Sequence, residues 1–164
     1  MIGIQDWVFQ GKTTDKEGRR FLLLNLPQPP DSSGIAKWRY LLTLVRRLPI
    51  LLRTLKAQQI NAINAHYPTR NLYALAILKQ FGLWRGRLVL SFHGSDVNEI
   101  DPSSPHWRLI AQHTEAVTAC SVALAKRVEN LKLFKQPTQV IYNGIDCQHF
   151  AKLAESAPPI AEVS

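Results

Sequence analysis

Hydrophobic and polar positions in this chain alternate between two periods, and the switches between them lay out its elements. Residues 88–92 (LVLSF) form a compact run with almost no polar face, the pattern of a strand buried on both sides of a parallel sheet. The run ends in His93 and Gly94, and Ser95 or Asp96 then reads as the N-cap of whatever follows. Runs of the same kind lie at 21–26 (FLLLNL), 60–65 (INAINA), 116–120 (AVTAC) and 138–142 (TQVIY). Residues 2–9 are a weaker strand candidate, 12–20 are polar and turn-rich, and 27–34 form a Pro/Ser/Gly loop.

Between the strands the period becomes helical. Residues 35–57 place Leu41, Val45, Leu48, Leu52 and Leu55 on one face, with Arg39, Arg46 and Arg53 on roughly the opposite one. Pro49 is expected to kink this helix or split it. Further helices are expected at 71–81, closed by Gly82 as C-cap, at 107–114, and at 122–131, where Ser121 is the N-cap. Strand and helix alternating over short connections predict an α/β fold, a Rossmann-like, mostly parallel sheet with helices on both faces. The strands of such a sheet end on one edge. His66, His93, Ser121, and Asn143 with Gly144 are therefore expected to share a common rim, where such sheets hold ligands. Residues 1–150 read as this domain, and 151–164, rich in Ala, Ser and Pro, as a linker or tail.

Composition adds little except through charge. The 164 residues carry a net charge of +8, and the whole excess lies between Asp31 and Asp96. That interval holds ten basic residues, from Lys37 to Arg87, and no acidic one. A block so one-sided fits an anionic partner, either a phosphorylated substrate or a membrane surface reached through Arg39, Arg46 and Arg53; the alternative is a solvated basic face on a helix that only packs against the sheet. Nucleic acid fits less well, because no recognition motif appears and the basic block is not interleaved with exposed aromatics. No run approaches the roughly 18 apolar residues of a membrane span. The N-terminus lacks the pattern of a secretory signal, and Cys120 and Cys147 form no C-x-x-C pair. Cys120 reads as a buried thiol, and the setting as cytoplasmic, peripheral to the inner membrane face.

Several chemistries are excluded by spacing. Gly11-Lys12-Thr13 imitates a phosphate loop, but that motif needs glycine at position 6, which is Asp6. No G-x-G-x-x-G opens a helix, which argues against a dinucleotide oxidoreductase. His66, His93, Asp96 and His113 match no tight metal-ligand motif, so no metal is expected. His93 before Gly94 remains the best candidate for chemistry, since glycine lets backbone approach a ligand closely. Asn143-Gly144 has the composition of a hairpin turn, but the residues after it lack strand alternation, so a strand-to-loop exit is expected.

NAHYP (64–68), LVLSFHGSD (88–96), AVTACS (116–121) and VIYNGIDCQHF (140–150) together resemble the amino-terminal domain of family 4 glycosyltransferases over residues 20–150. The resemblance implies half of a GT-B fold and transfer of a sugar, with retained anomeric configuration, from a nucleoside-diphosphate sugar. That co-substrate is expected in place of any bound cofactor, and a glycan or lipid-linked molecule is the expected acceptor. It implies that His93, as the catalytic-site residue, lies with Gly94 near the transferred sugar. His66 and Ser121 would line the acceptor side; Asp96, Asn143 and Gly144 would contact substrate; Asp146 and Phe150 would lie toward the hinge. The family's glycine-rich opening has no counterpart here. Its donor-binding domain, with its paired glutamates and the basic residues that clamp the diphosphate, is expected to lie outside these 164 residues. The chain alone is thus expected to be an inactive, truncated acceptor-side portion that needs a donor domain from the same gene or a separate chain. The rival reading is a non-catalytic basic module that docks on an anionic membrane or a partner protein.

Overall fold

The computed structural model describes residues 13–14, 20–21, 26–31 and 34–144. A minor antiparallel ladder joins β1 (Thr13–Thr14) to β2 (Arg20–Phe21). The main sheet has four parallel strands: β3 (Ala62–His66), β4 (Arg87–Phe92), β5 (Ala116–Ala119) and β6 (Thr138–Val140), side by side in sequence order. Helices α1 (Ile35–Ala57), α2 (Tyr73–Gln80), α3 (Pro105–Gln112) and α4 (Val122–Asn130) precede or connect them. The Rossmann-like α/β class expected from the sequence is the fold that forms, although among the described residues α2, α3 and α4 lie on one face of the sheet rather than on both.

The apolar runs explain the sheet. Leu88, Leu90 and Phe92 of β4 and Val117 and Ala119 of β5 are all but fully buried, and alternation sends them to one face. Leu75 and Leu78 of α2, Trp107 and Ile110 of α3, and Leu124 and Val128 of α4 belong to the same core. Each such leucine contributes about 1.5–3 kcal/mol by leaving water. Right-handed crossovers between consecutive, adjacent parallel strands carry α2, α3 and α4 to that face. The sheet's other face carries the polar residues Asn64, His66, Ser91, Thr118 and Gln139, with Ala62, Val89 and Ala116 among them. Among the described residues β3 has no partner on its outer side.

Several expectations need correction. The strand expected at 21–26 falls partly on residues 22–25, outside the described residues; Phe21 pairs antiparallel with Thr13, and Leu26 lies in coil. Residues 2–9, Asp146, Cys147, Phe150 and the 151–164 tail also lie outside the described residues. Helix α1 buries Leu44, Leu51 and Leu55, flanked by Tyr40, Leu48 and Leu52, whereas Leu41 and Val45 are 45% and 61% exposed. Its packed face therefore shares Leu48, Leu52 and Leu55 with the expected one but is rotated about the helix axis, away from Leu41 and Val45 and toward Leu44 and Leu51. Arg39, Arg46 and Arg53 are exposed. Pro49 does not split the helix. It lies on the solvent side, where water can serve the Val45 carbonyl that its missing N–H leaves free.

The remaining shifts are small. Arg70–Leu72 is a single 3-10 turn before α2, and α3 begins at Pro105 rather than Trp107 because proline suits the first helical turn. Gly82 ends α2 as expected, with φ +65° and its amide bonded to the Lys79 carbonyl. Cys120 is half-buried rather than buried. Among the described residues no helix is long and apolar enough to cross a membrane.

Candidate functional site

Parallel register sets the strand ends side by side. His66 pairs with Ser91 and Phe92 with Ala119. The Tyr67 amide bonds the Ser91 carbonyl at 3.2 Å, the Cys120 amide the Phe92 carbonyl at 3.3 Å, and the Ile141 amide the Ala119 carbonyl at 2.9 Å. The tips therefore run along one edge in the order His66, His93, Ser121, and the stretch leading to Asn143 and Gly144.

His66 and His93 are in direct contact. His66 Nδ1 lies 2.8 Å from His93 Nε2, and the two rings meet edge to edge, with centroids 5.0 Å apart and planes 26° apart. Tyr67 stacks on His93, at 4.6 Å and 28°. Tyr67 was not singled out in the sequence, yet it is 59% exposed and has φ +51°, a left-handed torsion unusual for a bulky side chain. An exposed aromatic ring held by a strained backbone beside two imidazoles is a platform on which a flat or apolar ligand face can rest.

The loop after β4 is shaped by Asp96. Its buried carboxylate accepts from the Gly94 amide at 2.7 Å and from the His93 amide at 3.0 Å. Neither Ser95 nor Asp96 caps the following 3-10 turn Ser95–Glu99, whose N-cap is Gly94. Gly94 has φ +156° and ψ −94°, and its Cα faces open space. The carboxylate expected to meet substrate is thus turned toward its own loop.

Ser121 does cap α4, its Oγ accepting from the Leu124 amide at 3.2 Å. The preceding Cys120 Sγ lies 3.5 Å from the His93 carbonyl, which ties this tip to the His93 loop. Asn143 and Gly144 are exposed, in a loop beyond β6 rather than a hairpin. His113 stands apart. It follows the last residue of α3, and its Nε2 lies 2.7 Å from Gln80 Oε1 at the end of α2, on the side of the sheet opposite the tips. Among the described residues no three His, Cys, Asp or Glu side chains cluster as a metal site.

A concave volume of about 550 Å³ opens beside the rim, where α1, α2 and α3 begin. Tyr40, Leu44, Tyr73, His106, Asp31 and Asp101 are among its walls. The Tyr40 hydroxyl is buried without a hydrogen-bond partner, and burial pushes its pKa up. Arg70 donates to Asp31, which holds that carboxyl below its usual range; Ser103 does the same for Asp101 through side-chain and backbone bonds. His106 meets Tyr73 edge-on at 4.8 Å, and burial, then Arg70, lowers its pKa. Pockets of this size, part aromatic and part polar, suit small organic ligands.

The parallel sheet, with two imidazoles and a tyrosine at its carboxyl edge, defines a Rossmann-like α/β domain. The chain belongs to glycosyltransferase family 4: that family's model matches residues 7–149. No curated protein matches the chain.

Proposed function

We propose that this chain is the acceptor-side portion of a retaining glycosyltransferase that moves a sugar from a nucleoside-diphosphate sugar to an envelope or lipid-linked glycan. The observation that carries this reading is the Tyr67 ring stacked on His93, with His66 hydrogen-bonded to the edge of His93, at the strand tips of a family 4 domain. Aromatic and imidazole rings pack against sugar faces, and imidazole nitrogens bond their hydroxyls. The adjoining volume walled by Tyr40, Tyr73 and Asp101 offers further room for an acceptor. His93 with Gly94 stands nearest the transferred sugar in this reading, and His66, Ser121, Asn143 and Gly144 line its approach.

Stabilising a leaving diphosphate needs fixed positive charge. The tip residues His66, Tyr67, His93, Ser121 and Asn143 carry none, and Arg70, just after β3, is held by Asp31. We therefore expect the 164 residues alone not to turn over donor; a second, donor-binding domain supplies that charge. Saturation-transfer NMR with a panel of glycans and nucleotide sugars tests both parts. Glycan signals are expected with the parent chain and not with His93→Ala, and neither protein should release nucleotide. Steady nucleotide release by the purified chain would overturn the inactivity. Absence of any glycan signal from the parent would overturn the acceptor role.

A second reading, a basic module docked on anionic membrane at the inner face, is favoured by α1. Trp38 and Leu42 are 69% and 57% exposed, and Ile35 and Val45 lie on the same side. On a helical wheel this apolar sector borders the stripe of Arg39, Arg46 and Arg53, with no acidic residue on the helix. Flotation on phosphatidylcholine vesicles with and without phosphatidylglycerol is expected to show binding only to the anionic ones. Binding should weaken with salt and be lost in Trp38→Ser. Equal flotation on both kinds of vesicle, or on neither, overturns it.

A further inference from the structure

Behind the stacked rings runs a line of polar side chains on the sheet face opposite Leu88 and Leu90. Thr118 Oγ1 of β5 donates to Ser91 Oγ of β4 at 2.8 Å, and Ser91 Oγ donates to Asn64 Oδ1 of β3 at 2.8 Å. Asn64 Nδ2 lies 3.2 Å from His66 Nε2, and His66 Nδ1 lies 2.8 Å from His93 Nε2. Ser91 and Thr118 are buried. Register makes the line continuous, since Ser91 pairs with His66 on one side and Thr118 on the other. Four side chains from three strands, with His93 from the loop after β4, thus form one hydrogen-bonded chain from the sheet interior to the rim.

The chain has a direction because an amide cannot both donate and accept through one atom. With its oxygen taking the Ser91 hydroxyl, Asn64 turns its NH2 toward His66. His66 Nε2 must then supply a lone pair, so a neutral His66 carries its hydrogen on Nδ1. That hydrogen is donated to His93 Nε2, which leaves the hydrogen of a neutral His93 on Nδ1. Among the described residues His93 Nδ1 has no hydrogen-bond partner.

We infer that Asn64, Ser91 and Thr118 are positioning residues that fix the tautomer of His93, so that this ring offers a ligand oxygen an Nδ1–H donor. The functional consequence, which rests on the reading of His93 as sugar-facing, is specific. His93 holds a hydroxyl or ring oxygen in place and does not withdraw a proton from the acceptor. Its free nitrogen already bears hydrogen, and the lone pair of the other is occupied by His66.

Long-range proton–nitrogen NMR of the full chain with labelled histidine, at pH about 8 where an ordinary imidazole is neutral, reads the tautomers directly. Hydrogen is expected on Nδ1 of both His66 and His93. Asn64→Asp presents only acceptors, so His66 must donate from Nε2 and His93 from Nε2 in turn; both tautomers are expected to reverse. Ser91→Ala frees the amide to turn and is expected to give a mixture. Hydrogen on Nε2 of His93 in the unmodified chain overturns the inference, as does an Asn64→Asp spectrum with unchanged tautomers. An unmixed pattern in Ser91→Ala removes Ser91 and Thr118 from the role. No ligand enters these spectra, so they stand or fall separately from glycan binding.

Discussion

The Asp96 carboxylate reaches back to the Gly94 amide at 2.7 Å, and this contact shapes the loop that carries His93. The same carboxylate takes the His93 amide at 3.0 Å, and Asp96 is buried. Asp96→Ala leaves two part-buried N–H groups without their acceptor and is expected to cost about 1–3 kcal/mol. Asp96→Asn keeps one oxygen acceptor and should lose less. Urea unfolding of the three proteins checks the order; equal stability of Asp96→Ala and the parent would refute it.

Gly94 itself separates torsion from space. A Cβ there meets nothing within 4 Å, but φ +156° is a conformation that side chains with a Cβ rarely adopt. Gly94→Ala is therefore expected to lose about 1–3 kcal/mol through strain alone. Larger residues at this position should lose no more than alanine does. A steep dependence on side-chain size, followed by thermal melts, would show that crowding decides instead.

Tyr67 is expected to show the opposite trade. Its φ of +51° costs folding free energy that asparagine, which tolerates left-handed torsions, recovers in part. Tyr67→Asn should match or exceed the parent in stability by up to about 1 kcal/mol. It should also lose the ring stacked on His93, and with it the glycan signal in saturation-transfer spectra. A clear loss of stability would mean the exposed ring supports the fold rather than a ligand.

How far the chain is legible depends on whether a feature is local. The strands of the main sheet follow from their apolar runs, and Gly82 and Ser121 mark the helix ends where they fall, because each signal sits within a few residues of its effect. The face of α1 does not follow. Leucines occupy both the Leu41–Leu48–Leu52 row and the Leu44–Leu51–Leu55 row, and only the surface of the partner elements chooses between them. Asp96 reads as a forward cap until the Gly94 torsion turns the chain back over its carboxylate. Asn64 and Ser91 do stand out as polar residues inside apolar runs. Their alignment with Thr118 and with the histidines needs the register of three strands, which no single run contains.

Gly86 is required for close packing. A Cβ at this position would lie 2.1 Å from Cζ2 of Trp84 and 2.3 Å from its Cε2, so the indole must move. In its present place Trp84 donates from Nε1 to the Ile60 carbonyl at 2.8 Å and receives the Lys79 ammonium 5.3 Å from its ring centroid. Gly86→Ala should cost about 1–3 kcal/mol, as overpacked sites do, and shift the tryptophan fluorescence. In a Trp84→Leu background the same substitution should be nearly neutral, because the two positions share one contact. Additive losses in the double variant would place the cause elsewhere.

Acid should weaken the fold through His106 and His113. Burial lowers both pKa values, with Arg70 reinforcing the effect at His106 and Lys79 at His113. A histidine whose folded pKa lies below its unfolded value, about 6.5, binds fewer protons when folded. Its contribution is complete above that pH and is lost as pH falls toward the folded pKa, because protonation then favours the unfolded chain. Asp31 and Asp101 act at lower pH in the same direction. Arg70 and Ser103 hold their pKa values below the ordinary carboxyl range, so what they contribute disappears as pH falls through it. The melting temperature is therefore expected to decline from pH about 7.5 to about 5.5, and to fall further below about 4. The double variant His106→Gln, His113→Gln should flatten the upper part of that profile and leave the lower part in place. A parent profile already flat above pH about 5.5 would mean that neither imidazole is as desolvated as its surroundings require.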